Sequence, residues 1–383
     1  MPNLLSDDGR NVRLPTGKLM PVLGLGTYTG DHADQVYNAC VAALKSGYKL
    51  LDCAYAYGNE EEIGRAVKDC IKDGTIKRAD LFITNKLWNT MHRPEDVRPA
   101  CERSLKTMGL DYFDLYIIHW PFALAKPDDP NQFFKLDDEG KKIMENVPIV
   151  DTWKAMETLV DAGLCKAIGL SNFNISQMER IRAIAKHPIS NNQVEVQLYL
   201  SQVEMLQYCT KNNITMTAYS PLYAPRRVWQ KEGDPPPLLD NETIIAIGKK
   251  YGKSPAQVML RFQAQRGIAI VPKSFTPSRI KANIDIFDFK LEDEDMKTLH
   301  GFNKDHRSIG GFAFEGVKST KTYSISGFDV EAMNGFTSGV SMVTFTIEVL
   351  PKIRKSHRAG YKVAPTIRLD KQNCLNISVR NYA

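Results

Sequence analysis

The sequence predicts an α/β protein built on a (β/α)8 TIM barrel, with an N-terminal β-hairpin before the barrel and an atypical C-terminal extension after it. Two observations lead to this fold class. Short apolar runs alternate with helical patterns eight times over roughly 270 residues, which is typical of parallel strands joined by crossover helices. The composition does not change midway through these units, which favours one closed barrel over an open doubly wound sheet.

The hairpin is predicted at residues 10–20, where Pro15, Thr16 and Gly17 form the turn. After it, each strand is recognised as a short apolar run between polar or turn-forming residues. The eight strands of the barrel are predicted at residues 21–26, 49–53, 81–86, 114–120, 165–170, 193–197, 215–219 and 268–271.

The segments between the strands have helical patterns; the first of them has Ala39, Ala43 and Leu44 among its apolar positions. Polar insertions interrupt the alternation at about residues 123–147 and 224–240. The helices are predicted at residues 34–47, 60–73, 94–108, 151–162, 176–185, 202–212, 242–251, 254–265 and from residue 277.

The composition excludes several classes of protein. The net charge of +6 is mild, and no basic stripe interleaved with aromatic residues indicates nucleic-acid binding. No apolar run approaches the length of a transmembrane helix, and the first residues, MPNLLSDDGR, lack the apolar region of a secretory signal. Seven scattered cysteines without a C-x-x-C pair favour reduced thiols over disulfides or a zinc site. We therefore expect a cytoplasmic protein with no metal, no nucleic-acid partner and no membrane partner.

Polar side chains follow nearly every predicted strand from the second to the eighth. In a (β/α)8 barrel, the active site lies on the loops at the carboxyl ends of the strands. The second strand is followed by Asp52 and Tyr57, the third ends at Lys86, and the fourth contains His119 near its end. We therefore expect these four side chains to meet on one rim of the barrel.

An Asp, a Tyr, a Lys and a His without a set of metal ligands suggest proton transfer. A free tyrosine has a pKa near ~10, and a cation within ~4–6 Å lowers that pKa, so Lys86 would make Tyr57 a stronger acid. Asp52 would keep Lys86 charged and oriented. His119 can donate a hydrogen bond to a substrate oxygen on which charge accumulates, as in the reduction of a carbonyl group.

The residues after the eighth predicted strand indicate a cofactor that supplies hydride. Thr276 is expected at the N-cap and Pro277 at the first position of a helix, with Lys273, Ser274 and Arg279 nearby. A helix N-terminus with these cations is suited to an anion, and a ribose 2′-phosphate would select NADPH over NADH.

Residues at the ends of the fifth, sixth and seventh predicted strands are suited to bind a nicotinamide ring. Tyr219 has an aromatic face on which the ring can stack. Ser171, Asn172 and Gln193 can form hydrogen bonds with its carboxamide.

Several long motifs resemble those of the aldo-keto reductases, in particular the aldose and aldehyde reductase branch. They are GYKLLDCAYAYGNE at residues 47–60, DLYIIHWP at 114–121, AIGLSNFN at 167–174, and the segment 273–283. The resemblance covers about residues 10–323, and its motifs occur in the family's order. It implies a barrel without a Rossmann domain, an extended NADPH across the strand ends, and a catalytic tetrad of Asp52, Tyr57, Lys86 and His119 with Tyr57 as general acid.

The resemblance also implies contacts that the residues alone do not establish. The cofactor contacts would be Thr27, Ser171, Asn172, Gln193, Tyr219, Ser220, Leu222, Lys273, Ser274, Phe275, Thr276, Arg279 and Asn283. The substrate contacts would be Tyr28, Trp88, His119, Trp120 and Trp229.

Three features depart from the family pattern. Tyr28 stands where the aldose reductase branch usually has Trp, and Ala282 stands where a Glu often lies beside the adenine. The family normally ends within a few residues of Tyr323, but 60 residues follow it here. We therefore expect a reductase domain over residues 1–323 and an extension of unknown role over 324–383, in which residues 340–350 alternate like a strand.

Other interpretations remain open at this point. Taken alone, Asp52 and Lys86 could be an ordinary buried ion pair, Tyr57 could be packing, and His119 could be a core histidine. The glycines at 24, 26 and 30 have the spacing G-x-G-x-x-x-G, which does not match the dinucleotide-binding fingerprint, so we interpret them as turn residues. A non-catalytic NADPH-binding structural or channel-subunit-like module is the alternative function. A second alternative is a reductase that is inactive because the C-terminal extension folds over its pocket.

The interpretation that accounts for all these residues is a monomeric, NADPH-dependent carbonyl reductase. Its expected substrates are small aldehydes, aldoses and some ketones, which it converts into alcohols.

Overall fold

The computed structural model describes residues 4–28, 33–129, 132–223 and 233–309, and two strands near the C-terminus at 365–369 and 375–379. The chain divides into two compact units, Met1–Ser324 and Ile325–Ala383. The first unit contains every predicted site residue. Among the described residues, no helix is long and apolar enough to cross a membrane.

The first unit begins with the predicted hairpin, in which two antiparallel strands pair Val12 with Met20. The eight strands of the central sheet follow, and a short hairpin is inserted after the fourth of them. In chain order the strands are β1 (Asn11–Arg13), β2 (Leu19–Pro21), β3 (Leu25–Gly26), β4 (Leu50–Asp52), β5 (Phe82–Leu87), β6 (Leu115–Ile118), β7 (Ala123–Leu124), β8 (Met144–Glu145), β9 (Ile168–Ser171), β10 (Asn191–Glu195), β11 (Thr215–Tyr219) and β12 (Ala269–Ile270).

The helices lie between these strands, as the alternation predicts. The helix that follows α9 was not predicted. In chain order they are α1 (Ala33–Lys45), α2 (Glu60–Lys72), α3 (Pro94–Met108), α4 (Ile149–Asp161), α5 (Ile175–Arg182), α6 (Val203–Lys211), α7 (Glu242–Tyr251), α8 (Pro255–Gln265), α9 (Pro277–Ile284) and α10 (Asp293–His300).

The central sheet is a closed parallel barrel. Its strands are hydrogen-bonded in the order β12-β11-β10-β9-β6-β5-β4-β3, and all these pairs are parallel. The two end strands meet because Gly24 N donates to Ile270 O at 2.9 Å and Ile270 N donates to Val22 O at 2.7 Å. The predicted (β/α)8 barrel is therefore confirmed, but some predicted bounds are wrong. β3 and β12 have only two residues each, β9 begins three residues later than predicted, and β10 begins two residues earlier.

The strands are apolar because both faces of a parallel sheet are covered. All six residues of β5 are buried, and the four residues of β6 are buried as well. Helices cover the outer face and side chains fill the interior, so such strands have continuous apolar runs. The six described cysteines are buried and unpaired.

A glycine is required at position 26, where the first barrel strand passes close to the residues that follow the last barrel strand. A Cβ atom built on Gly26 would lie 2.6 Å from the carbonyl oxygen of Val271, closer than real contacts allow. The next residue is Thr27, a predicted cofactor contact. The missing side chain therefore brings the two ends of the barrel together next to the expected site.

The second unit contains two described strands. β13 (Pro365–Leu369) and β14 (Leu375–Val379) form an antiparallel pair in which Ile367 lies opposite Ile377. The strand-like pattern at residues 340–350 lies outside the described residues.

Candidate active site

The four predicted catalytic residues lie on three neighbouring strands of the barrel. Asp52 is the last residue of β4, and a 3-10 helix at Tyr55–Tyr57 follows it directly. Lys86 lies near the end of β5, and His119 is the first residue after β6. Because β4, β5 and β6 are parallel neighbours, these side chains lie at the same end of the barrel.

A continuous chain of hydrogen bonds joins Asp52, Lys86 and Tyr57. The Lys86 ammonium donates to Asp52 Oδ2 at 2.8 Å, to the Cys53 carbonyl at 2.8 Å and to the Tyr57 hydroxyl at 3.2 Å. Lys86 is fully buried and Asp52 is nearly so. Three acceptors satisfy the three N–H groups of the ammonium, so its position is fully determined by hydrogen bonds.

The pKa values of this cluster reflect a balance between burial and charge. Burial alone would lower the pKa of Lys86, but the Asp52 carboxylate and Tyr57 raise it, and the net direction is upward. Lys86 therefore remains an ammonium ion at neutral pH.

Burial raises the pKa of the Tyr57 phenol by more than the Lys86 charge lowers it, and the Asp52 charge raises it as well. Lys86 has the expected effect on the phenol, but the expectation of a lowered net pKa is wrong. The physical reason is that burial, which has the largest effect, disfavours the charged phenolate, and the Asp52 charge offsets part of the effect of Lys86.

His119 lies next to Tyr57 as a neutral imidazole. Its ring centroid is 5.9 Å from that of Tyr57 and 5.3 Å from that of Trp88. Burial, the Lys86 charge and His92 all lower the pKa of His119 well below its usual value. Its Nδ1 atom is buried and has no hydrogen-bond partner among the described residues, so we infer that Nε2 faces the open side of the site.

Asp52 also connects the tetrad to two predicted cofactor contacts. Gln193 donates from Nε2 to Asp52 Oδ1 at 2.7 Å, and Thr27 donates from Oγ1 to the Asp52 carbonyl at 2.8 Å. Sequence analysis did not predict the Gln193–Asp52 bond. This bond uses one of the two N–H groups of the Gln193 amide, so its oxygen and its second N–H group are left for other hydrogen bonds.

Asn172 joins the predicted carboxamide-binding residues to the tetrad. It adopts a left-handed backbone conformation with φ 66°, and its side chain donates to the His119 carbonyl and to Ser171 Oγ, both at 3.1 Å. Tyr219 donates from its hydroxyl to Asn172 Oδ1 at 2.8 Å. Ser171, Asn172, Gln193 and Tyr219 therefore form one hydrogen-bonded surface with His119 and Asp52.

The chain after β11 has an unusual backbone. Ser220 has φ 51°, a conformation that is uncommon for residues other than glycine, and Leu222 packs half-buried against the core. Ser220 and Leu222 thus follow Tyr219 at the strand end, where the resemblance expects pyrophosphate contacts.

The predicted phosphate site lies at the start of α9. Thr276 is the N-cap and Pro277 is the first helical residue, as predicted, but the Thr276 side chain makes no capping bond. Instead, Ser274 Oγ accepts the Thr276 N–H at 3.1 Å, and Lys273 Nζ lies 4.6 Å from the ring centroid of Phe275. Arg279 is exposed and Asn283 is buried on the same helix.

Aromatic side chains line the site beyond the tetrad. Tyr28 is 53% exposed with its ring 5.3 Å from Tyr57, and Trp120 lies 6.4 Å from His119. Sequence analysis missed Phe133 of the first insertion, whose ring is 5.0 Å from Trp88. Two consecutive phenylalanines in an otherwise polar insertion were the signal that could have revealed it. Trp229 lies outside the described residues.

Comparison with known proteins identifies the family. Residues 22–304 match the family model described as "Aldo/keto reductase family". The chain belongs to the aldo-keto reductase family. Its membership supports an oxidoreductase that acts on carbonyl compounds.

The relatives of this aldo-keto reductase align with about four-fifths of the chain. It is 48% identical to aldo-keto reductase family 1 member A1-A of Danio rerio over 304 residues, which are 78% of this chain and 91% of that protein. It is 44% identical to family 1 member A1 of Homo sapiens over 299 residues, with 78% and 90% coverage. The solved aldose reductase of Schistosoma japonicum matches with 40% identity and a TM-score of 0.74, over 80% of this chain and 97% of that one.

Proposed function

We propose that this aldo-keto reductase is an NADPH-dependent carbonyl reductase that converts aldehydes, aldoses and some ketones into alcohols. The observation that carries the proposal is the chain of hydrogen bonds from Asp52 through Lys86 to the Tyr57 hydroxyl, with a neutral His119 beside it. This arrangement holds a proton donor and a hydrogen-bond donor at one point, where a carbonyl oxygen can accept both.

In this proposal, Tyr57 delivers the proton. Its raised pKa keeps the phenol protonated at neutral pH. As negative charge develops on the carbonyl oxygen, the phenol O–H transfers its proton to that oxygen. Lys86, 3.2 Å from the hydroxyl, then stabilises the phenolate that is left, and Asp52 keeps the ammonium in place.

His119 has a different role from Tyr57. Because its pKa lies well below the usual value, the imidazole is neutral and does not supply the proton at neutral pH. It can donate one hydrogen bond from Nε2 to the carbonyl oxygen and so orient the substrate. Bound NADPH would supply the hydride for the carbonyl carbon.

The described residues are suited to this cofactor. Lys273 and Arg279 form no ion pair with a carboxylate among the described residues, so both cations are available to a phosphate group. At the other end, the Gln193 amide oxygen and the Tyr219 ring lie within the hydrogen-bonded surface next to the tetrad. We propose Thr27, Ser171, Asn172, Ser220, Leu222, Ser274, Phe275, Thr276 and Asn283 as the remaining contacts with NADPH.

The walls of the site favour substrates with an apolar part. Trp88 is 5% exposed and packs against His119 and Phe133, while the Trp120 ring lies 6.4 Å from the imidazole at an interplanar angle of 22°. Aromatic walls with a few polar groups are typical of pockets for small organic ligands. We propose that Tyr28 and Trp229 complete this wall.

A steady-state assay tests the proposal. The absorbance of NADPH is followed with a panel of aromatic, aliphatic and sugar aldehydes, and the series is repeated with NADH. We expect turnover with NADPH and several aldehydes. Tight NADPH binding without reduction of any carbonyl compound would instead favour the non-catalytic binding module.

The same proposal includes the organisation of the whole chain. We propose that residues 1–323 form the reductase domain, that residues 324–383 are a separate extension, and that the protein acts as a monomer in the cytoplasm. The buried, unpaired thiols of the described cysteines support a reducing compartment.

A further inference from the structure

The last described part of the first unit runs along the chain that follows β10. We call residues 303–309 the rim segment. Ser201 N donates to Asn303 Oδ1 at 2.9 Å, and both Lys304 N and His306 N donate to the Tyr199 carbonyl at 3.1 and 2.9 Å. Gln197 donates from Nε2 to the His306 carbonyl at 3.1 Å. Contacts at residues 201, 199 and 197 therefore guide the rim segment back towards the end of β10.

The series ends at the carboxylate of Glu195. Ser308 N donates to Oε1 and Oε2 at 2.9 and 3.1 Å, Ile309 N donates to Oε2 at 2.8 Å, and the Ser308 hydroxyl donates to Oε1. Glu195 is fully buried and forms no ion pair with a described cation. Gln197 Nε2 adds a longer bond to Oε1 at 3.4 Å. Two backbone N–H groups, a hydroxyl group and a side-chain amide thus compensate a buried negative charge, and such bonds are stronger than neutral ones.

Glu195 connects the rim segment to the proposed cofactor site. It is the last residue of β10, two positions after Gln193, and it lies opposite Tyr219 in the register with β11. Burial has the largest effect on the pKa of Tyr219 and raises it. The Glu195 charge raises this pKa further, whereas the charge of Arg307 in the rim segment lowers it. The rim segment therefore ends beside the side chain on which the nicotinamide is proposed to stack.

We propose that Glu195 is a positioning residue that locks the rim segment onto the end of β10 beside Tyr219, and that binding of the carbonyl substrate depends on this lock. The part that concerns substrate binding rests on the proposed function. The lock itself depends only on the contacts of Glu195.

A carboxylate is the group that fits this position because it accepts hydrogen bonds and donates none. In the variant Glu195→Gln, the amide keeps one acceptor oxygen but turns an NH2 group towards N–H donors. With its oxygen at the Oε2 position the amide can still accept both backbone N–H groups, but it has lost the charge that strengthens these bonds, and its NH2 group replaces the acceptor at Oε1. The change keeps the size of the side chain, so it separates the hydrogen bonds from packing.

Glu157 on α4 provides a matched control. It is also a buried carboxylate, and it accepts the backbone N–H groups of Lys186 and His187 at 2.6 and 2.9 Å and Trp153 Nε1 at 3.0 Å. None of these residues belongs to the proposed site. Glu157→Gln therefore reproduces the general cost of altering a buried carboxylate without affecting the rim segment.

Hydrogen exchange of the full-length protein tests the lock directly. In Glu195→Gln we expect exchange of the peptide that covers residues 303–309 to accelerate about tenfold or more, with residues 186–187 unchanged, because local opening follows local hydrogen bonding. Glu157→Gln should show the reverse pattern. Unchanged exchange of the rim segment in Glu195→Gln would overturn the proposal.

Kinetics test whether substrate binding depends on the lock. We expect KM for the aldehyde to rise about tenfold in Glu195→Gln with kcat changed less than about twofold, because uniform binding is lost. Glu157→Gln should leave both unchanged. Faster exchange with an unchanged KM would overturn the dependence of substrate binding on the lock but keep the lock itself. A wild-type protein without any turnover would contradict the proposed function alone.

Ser308→Ala is the second variant, in case Glu195→Gln does not fold. It removes only the hydroxyl donor, so we expect a smaller acceleration of exchange in the rim segment. If Glu195→Gln is unfolded and Ser308→Ala shows no faster hydrogen exchange in the rim segment, the lock is contradicted.

Discussion

At the scale of single residues, the behaviour of Tyr57 depends on three neighbours. Burial and Asp52 raise the pKa of its phenol, whereas Lys86 lowers it. Lys86 cannot act as an isolated cation because Asp52 lies 2.8 Å from its ammonium. The site therefore holds a protonated phenol next to an ion pair, and Lys86 favours the phenolate only as the proton leaves.

The first prediction concerns the Tyr57 hydroxyl. Tyr57→Phe should reduce kcat for aldehyde reduction by about 100- to 10,000-fold, the range that a general acid typically contributes, with little change in NADPH affinity. Single-turnover rates and fluorescence titration with NADPH measure the two effects. Tyr208→Phe removes a hydroxyl that donates to Glu179 at 2.7 Å away from the site, and it serves as the control. Unchanged turnover in Tyr57→Phe would remove Tyr57 from its proposed role.

The second prediction is the pH dependence of the reaction. The reaction needs a protonated Tyr57, whose pKa is raised, so activity should be lost only above the usual tyrosine value of about 10. It also needs a neutral His119, whose pKa is lowered, so activity should be lost only well below the usual histidine value of about 6.5. The profile of kcat/KM for the aldehyde should therefore be flat across neutral pH. An alkaline loss centred below pH 8 would contradict the direction given for Tyr57.

At the scale of elements, loops and strand ends carry the site while the helices support them. The 3-10 helix at Tyr55–Tyr57 ends at Gly58, which has φ 63° and begins the approach to α2. This single turn brings Tyr57 back over Lys86, which lies on the neighbouring strand. The first insertion acts in a similar way, because it brings Phe133 against Trp88.

The third prediction concerns the start of α9. The double variant Lys273→Ala, Arg279→Ala should weaken NADPH binding about 100-fold, since each charged hydrogen bond contributes about 1.5–3 kcal/mol, and should weaken NADH binding far less. Titration with both cofactors measures the difference. Lys281→Ala removes another exposed cation from the same helix and should have little effect. Equal losses for NADPH and NADH would contradict the assignment of the 2′-phosphate.

At the scale of the whole molecule, closure of the barrel brings distant parts of the chain to one rim. Asp52 and Gln193 are far apart in sequence, yet their side chains are 2.7 Å apart. A closed parallel barrel places all eight strand ends around one mouth, so residues from several strands can share a site.

The fourth prediction concerns the second unit. All described residues of the proposed site lie before residue 310, so a protein of residues 1–323 should keep the kcat and KM of the full chain within about twofold. The comparison is made with one aldehyde and saturating NADPH. A large increase in activity after truncation would instead indicate that residues 324–383 cover the pocket.

Several features were predictable from the sequence because they depend on local patterns. The alternation of apolar runs and helical patterns predicted the barrel, and the polar residues after strands predicted that Asp52, Lys86, Tyr57 and His119 would come together. The positions of Thr276 and Pro277 at the start of α9 were also predictable, because capping preferences act over a few residues.

The sequence by itself determined the alternation of barrel strands and helices, the family, and which side chains stand at the strand ends. Only the tertiary structure decided the direction of the Tyr57 pKa, the bond from Gln193 to Asp52, the place of Phe133 and the binding of residues 308 and 309 to Glu195. The physical reason is that periodicity and turn preferences are short-range properties of the chain. Burial, charge balance and hydrogen-bond pairing depend on distances between residues that are remote in sequence, and those distances exist only once the barrel has closed.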